Sequence, residues 1–271
     1  MARMHRGHGG FGVILGSFAA VTLLLGVVGG APPSTTSPAV AADKAGPGPT
    51  VVITGANRGL GLEFARQFHA AGARVIGTAR RPEAAEELRA LGVRVEQLDV
   101  ADPKSVARLA SRIGDQPVDI LINNAGIGGR EPSFEELDIE GIDRYFQVNS
   151  LGPMRVAQAL LPALKRGDRR LIVNITSTLG SIELNTRGGF WGYRASKAAL
   201  NMLNRTLARE LGSQRFTCVV INPGWVRTDM GGPRARLSPA ESISGMRKVI
   251  SGLTPEDSGG FFNYLGEQQP W

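Results

Sequence analysis

The chain is short of the residues that build disulfide frameworks and metal centres. Its 271 residues include one cysteine, Cys218, and three histidines. A single cysteine excludes an intrachain disulfide and a cysteine-based zinc cluster. Two of the histidines, His5 and His8, lie near the amino terminus, which argues against a histidine-ligated metal in a folded core. The sequence therefore predicts no metal site.

The sequence also lacks a cluster of basic residues, although its formal net charge is +7 at pH 7. The basic residues are scattered and interleaved with acidic ones, and no RNA- or DNA-binding motif is present, so we expect no nucleic-acid partner. A composition of 42% hydrophobic and 20% charged residues is typical of globular proteins. We therefore interpret most of the positive charge as solvated surface.

The amino terminus has the three parts of an export signal. Arg3 and Arg6 precede an uncharged run over residues 11–28, and the small residues 39–41 supply a cleavage site. The run is also just long enough to cross a bilayer as one helix. The arginines would then remain inside and the rest of the chain would lie outside the cytoplasm.

We therefore predict a signal peptide or membrane anchor in residues 1–41 and a folded domain in residues 42–271. An exported or membrane-anchored protein on the periplasmic or extracellular side is the expected outcome. The alternative is that the start codon is mis-assigned, or that this segment is an uncleaved tail without a role. The protein would then be cytoplasmic.

From residue 49 onward, short apolar runs alternate with longer amphipathic stretches, as in strands buried on both faces and the helices that cover them. The predicted strands are 50–54, 74–79, 94–100, 119–123, 170–176, 217–222 and 260–265. The predicted helices are 59–71, 83–91, 103–113, about 138–166, 193–211 and 239–251. Repeated β-α-β units predict one α/β domain, a doubly wound Rossmann fold with a mainly parallel, seven-stranded sheet.

The first strand–helix turn, residues 54–61, is rich in glycine. Glycine lets the backbone approach a pyrophosphate closely, and the N-terminus of the next helix offers free N–H groups. Tight turns use glycine in any case, but the position between a strand and a helix favours a phosphate site. The spacing is G-x-x-x-G-x-G, which differs from the common dinucleotide fingerprint.

Five further motifs follow in order, each at the end of a predicted strand or on the next helix. They are Asn123–Gly126, Asn149, Ser177, the Y-x-x-x-K of Tyr193 and Lys197, and Asn222–Gly224 with Thr228. With the glycine spacing, they resemble the short-chain dehydrogenase/reductase family from about residue 49 to the end. The stretches LGSIELNTRGG, YRASKAALNML and NPGWVRTDMGG are similar to its C-factor and sniffer-like carbonyl reductase branch.

The resemblance implies hydride transfer between a nicotinamide and a small carbonyl or alcohol substrate, with Tyr193 as general acid/base. Lys197 shares a helix face with Tyr193, and its charge would lower a tyrosine pKa that is ordinarily about 10. Ser177 would hydrogen-bond the substrate carbonyl, and Asn149 would hold a water that links Lys197 to solvent. Ser181 competes for the role of Ser177, because Ser177 and Tyr193 are sixteen residues apart, more than the commonest family spacing. Ser177 is preferred, because it lies closer to the strand end.

The resemblance also implies the cofactor contacts. Arg58 and Arg80 match positions at which family members hold the 2′-phosphate of NADP, and the second strand ends without the acid that would bind NAD. We therefore predict that NADPH is preferred over NADH. Asp99 is expected near the adenine and Thr228 near the carboxamide. The other predicted contacts are Gly55, Asn57, Gly59, Leu60, Gly61, Val100, Asn124, Ala125, Gly126, Tyr193, Lys197, Pro223, Gly224 and Val226.

Residues 231–250 are expected to form a short mobile lid over an open substrate site. Trp191, Trp225 and Trp271 are candidates to line that site, and Trp271 is the one we expect to be merely exposed. The helices 138–166 and 193–211 are the family's usual dimer faces, so we expect a homodimer or homotetramer. An exported, C-factor-like signalling protein that binds NAD(P) with little or no turnover is the alternative function, although the complete catalytic set argues against it.

Overall fold

The computed structural model describes residues 48–129 and 133–271, so the predicted signal or anchor in residues 1–41 lies outside the described residues. Within those ranges the strands are β1 (Thr50–Ile53), β2 (Arg74–Ala79), β3 (Arg94–Gln97), β4 (Ile120–Asn123), β5 (Leu171–Ile175), β6 (Thr217–Asn222) and β7 (Phe261–Asn263). They form one sheet in the order β3-β2-β1-β4-β5-β6-β7, and every neighbouring pair is parallel. The predicted Rossmann domain is confirmed, with a sheet that is parallel throughout.

The helices alternate with the strands as predicted. They are α1 (Gly59–Ala70), α2 (Glu86–Ala90), α3 (Pro103–Ile113), α4 (Ile139–Phe146), α5 (Gly152–Arg166), α6 (Trp191–Leu211) and α7 (Pro239–Gly252). The Asp102 side chain caps α3 by accepting a hydrogen bond from the Lys104 amide at 2.9 Å, and Pro103 opens the helix. No helix in the two described ranges is both long and apolar enough to cross a membrane.

Each strand contributes side chains to two hydrophobic layers, because successive residues point to opposite faces of a sheet. Val51 and Ile53 of β1 belong to the layer that α1 and α7 cover. Val52 between them belongs to the layer that α3, α5 and α6 cover. Burial on both faces explains why the strands are continuous apolar runs.

The predicted helix over about 138–166 is not one α-helix. A π-helical turn, Gln147–Leu151, joins α4 to α5 and carries Asn149. Such a turn widens the helix locally, and it is frequent at functional sites. The apolar periodicity of the sequence does not show this change, because the flanking turns keep an α-helical pattern.

The prediction of a mobile lid over residues 231–250 is wrong for residues 239–250, which belong to a helix. Helix α7 begins at Pro239, and its side chains Ile243 and Met246 are fully buried against the sheet. A capping box at Ser238 and Glu241 fixes the start of this helix. A lid can therefore extend no further than residue 238.

Candidate active site

The predicted motifs meet at the carboxyl edge of the sheet, because parallel strands all end at the same edge. The segments after β1 and β4 are joined by hydrogen bonds. The Asn124 side-chain amide donates to the carbonyls of Thr54 and Gly55, at 2.9 and 3.1 Å. In return, the Thr54 hydroxyl accepts from the backbone amides of Asn124 and Ala125. Asn124 and Ala125 thus hold the glycine turn in place.

The glycine turn has the geometry of a phosphate cradle. Gly55 and Gly59 have φ angles of +65° and +54°, which only glycine adopts without strain. A Cβ on Gly61 would lie 2.1 Å from the Gly55 carbonyl oxygen, so a larger residue does not fit. The side chain of Arg58, the N-cap residue of α1, makes no capping hydrogen bond, and the first turn of the helix holds no acid. Its free N–H groups and positive dipole therefore fit a diphosphate at this point.

The loop after β6 lies against this turn. The methyl group of Thr228 is 3.4 Å from the position of a Cβ on Gly59. Gly224 has a φ of +77°, and the buried Val226 forms a β-bridge with Leu237. The Pro223 carbonyl accepts a hydrogen bond from Ser242 of α7, which anchors the start of the loop. The predicted contacts in residues 223–228 therefore face the predicted contacts in residues 55–61.

The two arginines predicted to select NADP differ in their surroundings. Arg58 forms an ion pair with Asp229, with 2.6 Å between Nη1 and Oδ2. Arg80 is exposed just after β2, and no carboxylate in the described part of the chain forms an ion pair with it. Asn57 and Leu60 complete the turn, Asn57 exposed and Leu60 half-buried.

The predicted third strand is too long at its carboxyl end. It was expected to reach residue 100, but β3 ends at Gln97, which leaves Asp99 and Val100 in the following turn. The Asp99 carboxylate accepts a hydrogen bond from the Ala101 amide at 3.0 Å. This local bond favours a turn over a further strand residue. Asp99 remains half-buried at the sheet edge, and Val100 is buried.

Ser177, Tyr193 and Lys197 are brought together between the end of β5 and the first turns of α6. The side chains of Ser177 and Tyr193 share a hydrogen bond. The expected lowering of the Tyr193 pKa is wrong for the free chain, because burial raises this pKa and the hydrogen bond to Ser177 offsets only part of the rise. The Lys197 ammonium lies 5.9 Å from the centre of the Tyr193 ring and donates to the Ile175 carbonyl at 2.7 Å. Burial lowers the pKa of Lys197 to about 8.

Asn149 is fully buried, and both the oxygen and the nitrogen of its side-chain amide form hydrogen bonds. Its oxygen accepts from the Ile127 amide, and its nitrogen donates to the Ile127 carbonyl, both at 2.9 Å. The same nitrogen lies 3.0 Å from the Ser196 hydroxyl on α6. Asn149 and Lys197 flank Gly126, since a Cβ there would lie 3.3 and 3.8 Å from their polar atoms. Asn149 thus ties the chain after β4 to α6, and its predicted role with a water stays a prediction.

The geometry separates the two candidate serines. Ser181 is buried, and its hydroxyl donates to the backbone oxygen of Trp271 at 3.1 Å. Ser177 faces Tyr193 instead, and it also accepts a hydrogen bond from the Leu179 amide. The expectation for Trp271 was wrong, because its half-buried ring packs between Phe261 and the Arg205 guanidinium.

A buried chain of asparagines supports the site, and none of the sequence motifs predicts it. Asn123 of β4 and Asn174 of β5 are register partners, and a 2.8 Å hydrogen bond joins their side chains. Asn174 donates in turn to Asn204 of α6, also at 2.8 Å. All three residues are buried. The available signal was Asn174 itself, a polar residue within an otherwise apolar strand.

Exposed apolar side chains lie around the site. Trp191 and Trp225, two of the predicted lining residues, are about half exposed. The Trp191 ring packs against Phe134 with 5.5 Å between ring centres. The Trp225 indole N–H donates to the Gly231 carbonyl, which orients its ring. Met230 lies next to Gly128, so that its thioether covers the segment after β4.

Comparisons with known proteins agree with this geometry. The short chain dehydrogenase family model matches residues 49–237. C-signal of Myxococcus xanthus is 47% identical over 162 residues, which cover 60% of this chain and 98% of that protein. An NADPH-bound carbonyl reductase from chicken fatty liver is 35% identical with a TM-score of 0.77, over 83% of this chain and 99% of that one. Carbonyl reductase Sniffer of D. melanogaster is 33% identical with a TM-score of 0.78, over 83% of this chain and 100% of that one.

The family match covers well over half of the chain, and the two structural matches cover 83% of it. Both the motif order and the fold agree with the resemblance that the sequence motifs indicated. The chain therefore belongs to the short-chain dehydrogenase/reductase family, as an NAD(P)-dependent oxidoreductase of its C-factor and sniffer-like branch.

Proposed function

We propose that this protein is an NADPH-dependent carbonyl reductase in which Tyr193 donates a proton to the substrate oxygen. The observation that carries the proposal is the hydrogen-bonded pair Ser177 and Tyr193, with buried Lys197 beside it. These groups lie at the same sheet edge as the uncapped N-terminus of α1, which suits a dinucleotide diphosphate. When bound, the nicotinamide supplies the hydride.

The protonation states of the three side chains favour reduction. Burial keeps the pKa of Tyr193 above its ordinary value, so the phenol retains its proton at neutral pH and can donate it. The hydroxyls of Ser177 and Tyr193 would hydrogen-bond the carbonyl oxygen as negative charge develops on it. With a pKa of about 8, Lys197 is mostly charged at pH 7 and would stabilise the phenolate left after proton transfer.

Arg58 and Arg80 support the preference for NADPH over NADH. Both are exposed cations at the end of the site where an adenosine 2′-phosphate would lie, and the second strand ends without a competing acid. Guanidinium groups pair well with phosphate, so two of them favour the phosphorylated cofactor. The chicken enzyme, whose structure contains NADPH, has the same fold.

The mouth of the site supports an apolar carbonyl substrate. Its exposed side chains include the aromatic or aliphatic residues Phe134, Trp191, Trp225 and Met230. Aldehydes, ketones and quinones with hydrophobic substituents would bury this surface on binding. Such compounds form the first substrate panel.

The test is NADPH oxidation by the purified full chain with that panel, followed by absorbance. Tyr193→Phe should lower turnover by about 10²- to 10⁴-fold, because it removes the proton donor. Tyr264→Phe is the matched control, since it removes a phenolic hydroxyl from a ring that packs on Gly224 and Gly245. Equal loss in both variants, or a wild-type rate with Tyr193→Phe, would contradict the proposal.

A second candidate function is an exported signal that binds NADP(H) with little turnover. The observations that favour it are the 47% identity to C-signal and the predicted export signal before the domain. Tight NADPH binding without turnover of any panel compound would favour this function over the reductase.

We further propose export or membrane attachment through residues 11–28, and a homodimer or homotetramer. The exposed Leu151, directly before α5, and the exposed Met202 on α6 support an interface at these helices. Cell fractionation of the full chain, with residues 1–41 deleted as control, tests the first point. Light scattering of the purified chain tests the second, and a monomer would contradict it.

A further inference from the structure

An ion pair joins the two segments that face each other across the proposed diphosphate site. Arg58 belongs to the glycine turn and Asp229 to the loop after β6, and 2.6 Å separates Nη1 from Oδ2. The neighbouring residues also touch, since the Thr228 methyl group lies 3.4 Å from a Cβ position on Gly59. Both charged side chains are largely exposed, at 69% and 77%. The pair therefore lies at the surface of the site and not beneath it.

The position of Arg58 is unfavourable for the free protein. Arg58 is the N-cap residue of α1, where the helix dipole is positive and a cation is disfavoured. Its side chain caps no amide of the helix, so it does not stabilise α1 in the usual manner. Helix capping does not account for an arginine at this position. Its reach across the site to Asp229, and to a phosphate, does.

We propose that Arg58 and Asp229 form a latch that holds the two segments together over the dinucleotide diphosphate and slows its release. The inference rests on the proposed function. Asp229 is a positioning residue in this proposal, because it acts through Arg58 and not on the substrate. The Nη1 atom of Arg58 serves the latch, which leaves Nε and Nη2 for a 2′-phosphate.

The latch predicts how the release rates of the two cofactors compare. The diphosphate is common to NADPH and NADH, so the latch slows the release of both by the same factor. A competing arrangement predicts the opposite pattern. If Asp229 merely neutralises Arg58, its removal would tighten NADPH and leave NADH unchanged.

The experiment measures dinucleotide release from the full chain by stopped-flow fluorescence after displacement with excess NADP⁺. Asp229→Asn should release both NADPH and NADH about two- to fivefold faster, the range expected for an exposed ion pair. Higher ionic strength should speed release from the wild type and have less effect on the variant, because salt screens exposed charges. Asp168→Asn is the matched control, since this exposed acid precedes β5 at the opposite edge of the sheet.

A charge-reversed pair separates the latch from the 2′-phosphate contact. Arg58→Asp alone places two carboxylates together and should speed NADH release. Combined with Asp229→Arg, it restores an ion pair of opposite direction and should return NADH release towards the wild-type rate. NADPH affinity should not recover, because the cation has left the glycine turn.

Three results would overturn the latch. Unchanged release from Asp229→Asn is the first, and tighter binding of NADPH alone is the second. Failure of the charge-reversed pair to slow NADH release relative to Arg58→Asp is the third. Each of these leaves the proposed function standing, whereas a wild-type chain that binds neither dinucleotide would refute the function and the latch together.

Discussion

Replacing Lys197 with methionine removes a charge that the fold holds away from water. Burial lowers the pKa of Lys197 from its ordinary 10.5 to about 8, and its hydrogen bond to the Ile175 carbonyl does not reverse that shift. The lowered pKa means that the folded chain binds this proton less tightly than the unfolded chain. The free energy of unfolding must therefore depend on pH through this group.

The sign and size follow from the two pKa values. Between pH 8 and 10.5 the unfolded chain binds more protons at this site, so its contribution to stability rises as pH rises. That contribution is fully present above 10.5 and is lost as pH falls through about 8. A difference of about 2.5 pKa units, at ~1.36 kcal/mol each, amounts to about 3 kcal/mol.

The assay compares urea unfolding of the wild type and Lys197→Met at several pH values from 7 to 10. Groups shared by the two proteins cancel in the difference, and the lost hydrogen bond to Ile175 adds a nearly constant offset. We expect the wild type to gain about 2 to 3 kcal/mol relative to the variant over this range. Lys104→Met, at an exposed position on α3, is the control and should show no such trend.

A flat difference across the pH range would refute the reasoning. It would mean that Lys197 keeps an ordinary pKa in the folded chain, with solvent or a counter-charge beside it. The pH dependence of stability drawn from its burial would then lose its basis, whereas the proposed stabilisation of the phenolate needs only a charged lysine at neutral pH and would remain.

Ser177→Ala should lower kcat about 10²- to 10³-fold, the effect of losing one donor to the developing oxyanion, whereas Ser181→Ala should lower the melting temperature and change kcat little. Steady-state kinetics and calorimetry check both, and equal losses of kcat would contradict the assignment. Gly61→Ala places a Cβ 2.1 Å from the Gly55 carbonyl oxygen and should abolish NADPH binding in titration calorimetry; retained affinity would contradict the geometry. Asn174→Ala leaves buried amide groups unpaired and should reduce the free energy of unfolding by about 3 kcal/mol; a change below about 1 kcal/mol in urea unfolding would show that the asparagine chain is not needed.

Local pattern was enough to predict the elements and their order. The apolar runs of the strands, the cap at Asp102 and the glycines of the first turn depend on neighbours in sequence, so each could be assigned before the fold was known. The order of the motifs, combined with parallel strands, placed them at one edge of the sheet. Errors arose where a local bond ended an element early, as at Asp99 after β3.

Contacts between distant segments could not be predicted from the sequence. The sequence favoured Ser177 over Ser181 by its place next to a strand end, but the contacts that separate them involve Tyr193 and Trp271, and Trp271 lies ninety residues from Ser181. The π-helical turn at Asn149 depends on its bonds to Ile127 and Ser196. Neither arrangement leaves a periodic signal along the chain.

The sequence by itself determined the family, the parallel Rossmann sheet and the residues with catalytic chemistry, because side-chain type and spacing carry that information. Only the tertiary structure decided how those residues are charged and what they touch. The pKa of Lys197 follows from its burial, and the Arg58–Asp229 pair joins residues 171 positions apart. Burial and long-range pairing are properties of the packed chain, since they depend on which surfaces the fold removes from water.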